Sequence, residues 1–184
     1  MDIFFVDISK LFIDNKPKFN KIQHQVGRTM LNYLLKNKYN IEPNILEKDG
    51  KPYLENNPIY FNISHSNKLV GIAFDKNKIG LDIEFIKPRN YKAILKHFNI
   101  NEEVSEKEFF QMWTVYEAEY KSGIQDKLLS FEYENYMFSV SYEKISEINI
   151  YKIDIKDNTD LEKNTFKILK IDKVKELKPI KTKL

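Results

Sequence analysis

The sequence predicts an α/β fold of the α+β kind, and three observations predict it. Over 19–37, Ile22, Val26, Met30, Tyr33 and Leu34 recur at helical spacing. A second helix opens on the capping-box pattern Ser105-Glu106-Lys107-Glu108 and runs to about Ser122, with Gly123 as its stop. Around these helices lie short apolar runs divided by Asn, Lys and Asp turns, the pattern of strands.

In chain order, residues 2–8 read as a short strand and 44–49 as another, followed by a turn at Asp49-Gly50-Lys51-Pro52. The runs at 59–64, 69–75 and 78–86 suggest an antiparallel meander, and 91–98 a short helix. Strands near 136–142, 147–154 and 165–171 close the fold. Both halves therefore read as helix followed by strands, although no sequence repeat relates them. From Lys170 onward, six lysines face only Asp172 and Glu176, which reads as a frayed, solvated tail.

Composition narrows the function classes. With 184 residues, 42% hydrophobic and 31% charged, the chain has the composition of a soluble globular protein and a length that fits one large domain or two small subdomains. A net charge of +3 is too mild to indicate nucleic-acid binding. The absence of cysteine excludes disulfides and thiolate metal sites and suits a reducing compartment. The N-terminal stretch is broken by Asp2, Asp7 and Asp14 and has no basic n-region, so no signal peptide is expected. No apolar run approaches about 18 residues, so no membrane span is expected. A cytoplasmic protein is the resulting expectation.

Three local patterns carry possible chemistry. In Ile79-Gly80-Leu81-Asp82-Ile83-Glu84-Phe85, strand alternation puts Gly80, Asp82 and Glu84 on one face, with the two carboxylates roughly 7 Å apart. On the helix after Ser105, Trp113, Glu117 and Lys121 stack at successive turns, while Phe109, Met112, Tyr116 and Tyr120 form the expected core stripe. In Phe61-Asn62-Ile63-Ser64-His65-Ser66 a strand ends in a polar cluster suited to a phosphate. Ser64 and His65 point to opposite faces, so they do not form a nucleophile–base pair. Singly, each pattern also fits an ordinary solvated sheet face, surface ion pair or strand end.

Together and in this order, Asn62–Ser66, Gly80–Glu84 and the helix segment Trp113-Thr114-Val115-Tyr116-Glu117-Ala118-Glu119-Tyr120-Lys121 resemble the Sfp-type 4′-phosphopantetheinyl transferases. Gly50-Lys51-Pro52 and the helix arginine Arg28 are weaker matches to the same family. The resemblance covers about 27–121. Tyr116 departs from it, standing where the family usually has a lysine, and nothing beyond about 125 matches.

The resemblance implies transfer of the 4′-phosphopantetheine of coenzyme A to a serine of an acyl or peptidyl carrier protein, releasing 3′,5′-ADP. It implies Mg²⁺ held by Asp82, Glu84 and Glu117, with Lys121 on a phosphate of the leaving group and Glu117 as the base. Arg28, Ser64 and His65 would hold the 3′-phosphate, and Lys51 and Pro52 would line the adenine pocket. It further implies a monomer of two similar halves with pseudo-twofold symmetry, residues 1–77 and 78–184, with the active site in the cleft between them. Two other readings stand beside it. One is a Mg²⁺-dependent phosphohydrolase using the same carboxylates. The other is a non-catalytic binding relative, for which Tyr116 is the one favouring feature.

Overall fold

The computed structural model describes all residues except 12–15, 49, 57, 102, 126, 145–146, 157–159, 161–162, 164 and 179–184. Asp14, Asp49 of the expected turn and the end of the lysine tail lie outside the described residues. In chain order the elements are β1 (Asp2–Asp7), α1 (Lys16–Asn37), β2 (Ile45–Lys48), β3 (Lys51–Leu54), β4 (Tyr60–Ser66), β5 (Leu69–Asp75) and β6 (Ile79–Phe85). There follow α2 (Lys92–His97), α3 (Glu106–Ser122), β7 (Leu128–Tyr133), β8 (Tyr136–Tyr142), β9 (Asn149–Asp154), β10 (Lys167–Ile171) and β11 (Lys175–Leu177).

Five strands form one sheet in the order β10-β9-β1-β5-β4, four form a second in the order β11-β7-β8-β6, and β2-β3 make a separate ribbon. Both faces of β1 are buried, which is why Ile3–Val6 is unbroken apolar sequence. Phe4 and Val6 pack with Val26, Met30 and Leu34 of α1, whereas Ile3 and Phe5 pack with Leu81, Ile83, Phe138 and Val140 of the second sheet. The order of layers is α1, first sheet, second sheet, α3.

α3 starts on the capping box the sequence predicts: Ser105 accepts from Glu108 N–H, and the Glu108 side chain accepts from Ser105 N–H. It stops at Gly123, whose φ of 72° is left-handed. It lies close on the second sheet because β6 carries glycine under it: a Cβ at Gly80 would sit 2.1 Å from the Ala118 carbonyl oxygen. The facing positions are small hydroxyls that satisfy one another, Thr114 with Ser139 at 2.8 Å and Ser130 with Ser139 at 2.9 Å.

Several expectations are corrected. The three runs over 59–86 do not form a meander: β4 and β5 pair as a hairpin, but β6 crosses to the other sheet and pairs with β8. Its pairing partner lies far along the chain, beyond the reach of local turn signals. The core stripe of α3 is Phe110, Thr114, Val115 and Ala118 with Phe109, while Tyr120 is 70% exposed. The stripe follows small residues because the helix approaches β6 at Gly80, which leaves no room for tyrosines. β3, β7 and β11 are additional strands. The last of these pairs with β7 and so orders part of the stretch expected to fray. Finally, β9 and β10, from the second half of the chain, complete the sheet begun by the first half, with β9 parallel to β1.

Candidate active site

The site grows from the place where the edges of the two sheets meet. β4 ends one sheet and β6 the other, and no backbone ladder joins them. The free N–H groups of β6 are met by alternate side chains of β4. Leu81 N–H donates to Asn62 Oδ1 at 3.1 Å, Ile83 N–H to Ser64 Oγ at 3.2 Å, and Phe85 N–H to Ser66 Oγ at 3.0 Å. The two serines then donate onward, Ser64 to Asp82 Oδ1 at 3.0 Å and Ser66 to Glu84 Oε2 at 2.8 Å. The Asn-x-Ser-x-Ser alternation thus joins the sheets and aims the carboxylates of β6.

Lys121 reaches in from α3. Its Nζ donates to Asp82 Oδ1 at 2.6 Å, to the Leu81 carbonyl at 3.1 Å and to Ser64 Oγ at 3.3 Å. The Ser64 hydroxyl is therefore saturated, donating once and accepting twice. Burial pushes the Asp82 carboxyl above the usual carboxylate range, opposed by the charge and hydrogen bond of Lys121. Burial likewise raises Glu84, opposed chiefly by the hydrogen bond from Ser66. Burial and the nearby Asp82 raise Glu117, opposed by Lys121 and Lys51.

Beside this cluster lies a cavity of about 210 Å³ whose lining includes the cations Arg28, Lys51 and Lys121 together with His24 and His65. Pro52 also lines it. α1 comes down on β4 at Gly27, where a Cβ would be 3.3 Å from Ile63 Cγ2, and this brings His24 over His65 with ring centroids 5.1 Å apart. Burial, and then His24, lower the His65 pKa from its ordinary value. Arg28 is held by Glu47 of the β2-β3 ribbon at 2.6 Å. Lys51, at the same turn end of the ribbon, lies over the Tyr120 ring at 5.4 Å. A second, more apolar cavity of about 560 Å³ lies between α2 and α3, lined by Ile94, Phe98, Trp113, Tyr116 and Glu117 among others. Tyr116 packs edge-on against Phe98 there, at 5.1 Å, and does not face the cationic cavity.

The structure therefore divides the residues singled out by sequence. Arg28, Lys51, Pro52, His65 and Lys121 line one cavity; Glu117 lines the other; Asp82, Glu84 and Ser64 lie at the seam between sheets. Sequence reasoning missed His24, Asn62 and Ser66 as site residues. His24 precedes Arg28 by one helical turn, and Asn62 and Ser66 share the Ser64 face by alternation, so both signals were present. Among the described residues, no three His, Cys, Asp or Glu side chains enclose a metal by themselves. Yet Asp82 Oδ2 is buried without a partner, which fits an all-oxygen site completed by substrate and water.

Fold and site define an α+β protein in which a carboxylate cluster, with Lys121 on Asp82, lies next to a cavity lined by basic side chains. No protein-family model matches the chain. It is similar to the 4′-phosphopantetheinyl transferase gsp of Aneurinibacillus migulanus, at 33% identity over 113 residues, 52% of this chain and 47% of that protein. It is similar to the 4′-phosphopantetheinyl transferase psf-1 of Bacillus pumilus at 36% over 98 residues, 46% and 42% of the two chains. A protein of Haemophilus influenzae assigned to the same transferases is 36% identical over 88 residues, 41% and 37% of the two chains. The match spans less than half the length of each of these relatives. The resemblance to the Sfp-type transferases, drawn from the motifs, is borne out by these similarities.

Proposed function

We propose that the chain transfers the 4′-phosphopantetheine group of coenzyme A to a serine hydroxyl of an apo acyl or peptidyl carrier protein, releasing 3′,5′-ADP. The observation that carries this reading is the position of Lys121. One amine sits on the buried Asp82 and at the same time lines the cationic cavity. A nucleotide with its phosphorylated ribose in that cavity brings its diphosphate to Lys121 and the carboxylates. The similarity to named transferases supports the same reading.

In this reading Asp82, Glu84 and Glu117 hold Mg²⁺, and the unpartnered Asp82 oxygen is the feature of the chain that fits it. The ion supplies neutralisation of diphosphate charge and of charge on the departing group. The protein's own residues do the rest. Lys121 stabilises the leaving phosphate oxygen, and Lys51, Pro52, Arg28 and His65 fix the nucleotide. Glu117, directly or through a water, takes the proton from the carrier serine. The serine oxygen attacks the phosphorus nearest the pantetheine; its P–O bond forms as the bond to the 3′,5′-ADP oxygen breaks. The site lies between the halves 1–77 and 78–184, related by approximate twofold symmetry, and the chain works as a cytoplasmic monomer. No helix among the described residues is long and apolar enough to cross a membrane.

The test is mass spectrometry of apo carrier proteins from fatty-acid, polyketide and non-ribosomal peptide systems, each incubated with coenzyme A, Mg²⁺ and the protein. A gain of one phosphopantetheine on any of them is the expected result. No gain on all of them refutes the reading, and release of 3′,5′-ADP without a carrier identifies a phosphohydrolase instead.

A further inference from the structure

The cavity next to Lys121 holds two histidines, and the sequence motifs account for only one. His24 stands on the face of α1 that carries Arg28 one turn later, and its ring meets His65 edge-on at 5.1 Å. Both line the cavity with Arg28, Lys51 and Lys121. Ser64, expected from the motif to bind phosphate, is absent from that lining. Its hydroxyl is used up by Asp82, Ile83 N–H and Lys121, and its side chain points to the seam. Adjacent strand residues face opposite ways, so the Ser64 hydroxyl, spent at the seam, points away from the His65 ring.

We infer that His24 is a ligand of the substrate's terminal phosphate monoester, sharing it with His65 and Arg28, and that Ser64 instead positions Asp82. This rests on the proposed coenzyme A reading for the identity of the nucleotide, but not for the chemistry of the cradle. A phosphate dianion between the two rings favours their protonated forms, in which both imidazole nitrogens donate. Binding therefore takes up protons. The groups facing the pair are Arg28 on α1, Lys51 on β3 and Lys121 on α3, all cationic, with Glu47 of β2 drawn to Arg28. Burial first, then His24 and Lys121, oppose protonation of His65 in the free protein, and the arriving anion favours it.

The experiment uses calorimetry on the full chain with 3′,5′-ADP and 5′-AMP, in buffers of different ionisation enthalpy. The wild type is expected to prefer 3′,5′-ADP and to take up protons on binding it. His24→Gln, at an exposed position that leaves packing intact, is expected to weaken 3′,5′-ADP about tenfold, the scale of one charge-assisted hydrogen bond. It is expected to leave 5′-AMP unchanged and to reduce the proton uptake. The ligand's own titration is common to wild type and variant and drops out of the comparison. A His24→Gln protein with unchanged preference and uptake overturns the inference, as does a wild type with no preference for the 3′-phosphate. The assay needs no carrier protein. Loss of preference in His24→Gln alongside failed carrier loading would sink the transferase reading and leave the cradle standing.

Discussion

At the scale of single residues, the hydroxyl of Ser66 serves two groups at once, the Phe85 N–H and the Glu84 carboxylate. Ser66→Ala strands both; an unsatisfied buried partner costs about 1–3 kcal/mol, and these half-buried partners fall at the lower end. Urea unfolding is expected to show a lower midpoint of that order for Ser66→Ala and near-recovery for Ser66→Thr, which restores the hydroxyl. A wild-type midpoint in the alanine variant would mean that the side-chain seam does not join the sheets. Tyr116 makes the opposite case. Its ring packs on Phe98 and Trp113, away from the cationic cavity, so the departure from the family's lysine is a packing choice. Tyr116→Lys is expected to lower stability by about 0.5–1.5 kcal/mol, the worth of an aromatic pair, and to leave 3′,5′-ADP affinity at the wild-type value. Tighter nucleotide binding in that variant would show that the lysine position reaches the phosphates even here.

At the scale of elements, the β2-β3 ribbon forms its own two-stranded sheet and meets the cationic cavity at its turn end, through Glu47 on Arg28 and Lys51 over Tyr120. Glu47 therefore competes with any phosphate for Arg28. An exposed ion pair is worth about 0.2–1 kcal/mol, so Glu47→Gln is expected to tighten 3′,5′-ADP binding by up to about fivefold. Weaker binding would mean that Glu47 orients Arg28 and does not withhold it. The elements also differ in how far they are legible in sequence. α3 is legible at both ends, because a capping box and a left-handed glycine are local signals. The face shared by Asp82 and Glu84 is legible because strand alternation is local too. The partner of β6 is not, because the pairing with β8 spans the whole of α2 and α3. The buried face of α3 misleads for a related reason. Tyr116 and Tyr120 carry the helical spacing, but the close approach at Gly80 selects Thr114 and Ala118 for burial. His24 shares the Arg28 face one turn earlier, a signal the sequence does carry; what local sequence does not carry is that this face of α1 crosses β4 at Gly27.

At the scale of the molecule, the division at 77/78 meets a chain that does not stay on its own side. β1 is central in the first sheet only because β9, from the far end of the chain, lies parallel to it from Asp2↔Asn149 to Val6↔Ile153. The opposite face of that sheet is covered by the second: Ile3, Phe5, Leu69 and Ala73 share one core with Leu81, Ile83, Phe138 and Val140. Residues 1–77 in isolation would keep α1 and the β1-β5-β4 ladder but expose that whole apolar face and leave β1 with an open edge. The apolar surface uncovered works against folding at about 25 cal/mol per Å², and a fragment of this size has little stability in reserve. The full chain is therefore expected to unfold in one calorimetric transition, with calorimetric and van't Hoff enthalpies in agreement. The 1–77 fragment is expected to show no cooperative transition at all. Saturating 3′,5′-ADP is expected to raise the single transition of the full chain as a unit, by about 2.7 kcal/mol at a hundredfold excess over its dissociation constant. The cavity proposed for it is walled by α1, β3, β4 and α3 alike. Two separable transitions, only one of which the nucleotide shifts, would show instead that the halves fold independently and that the site belongs to one of them.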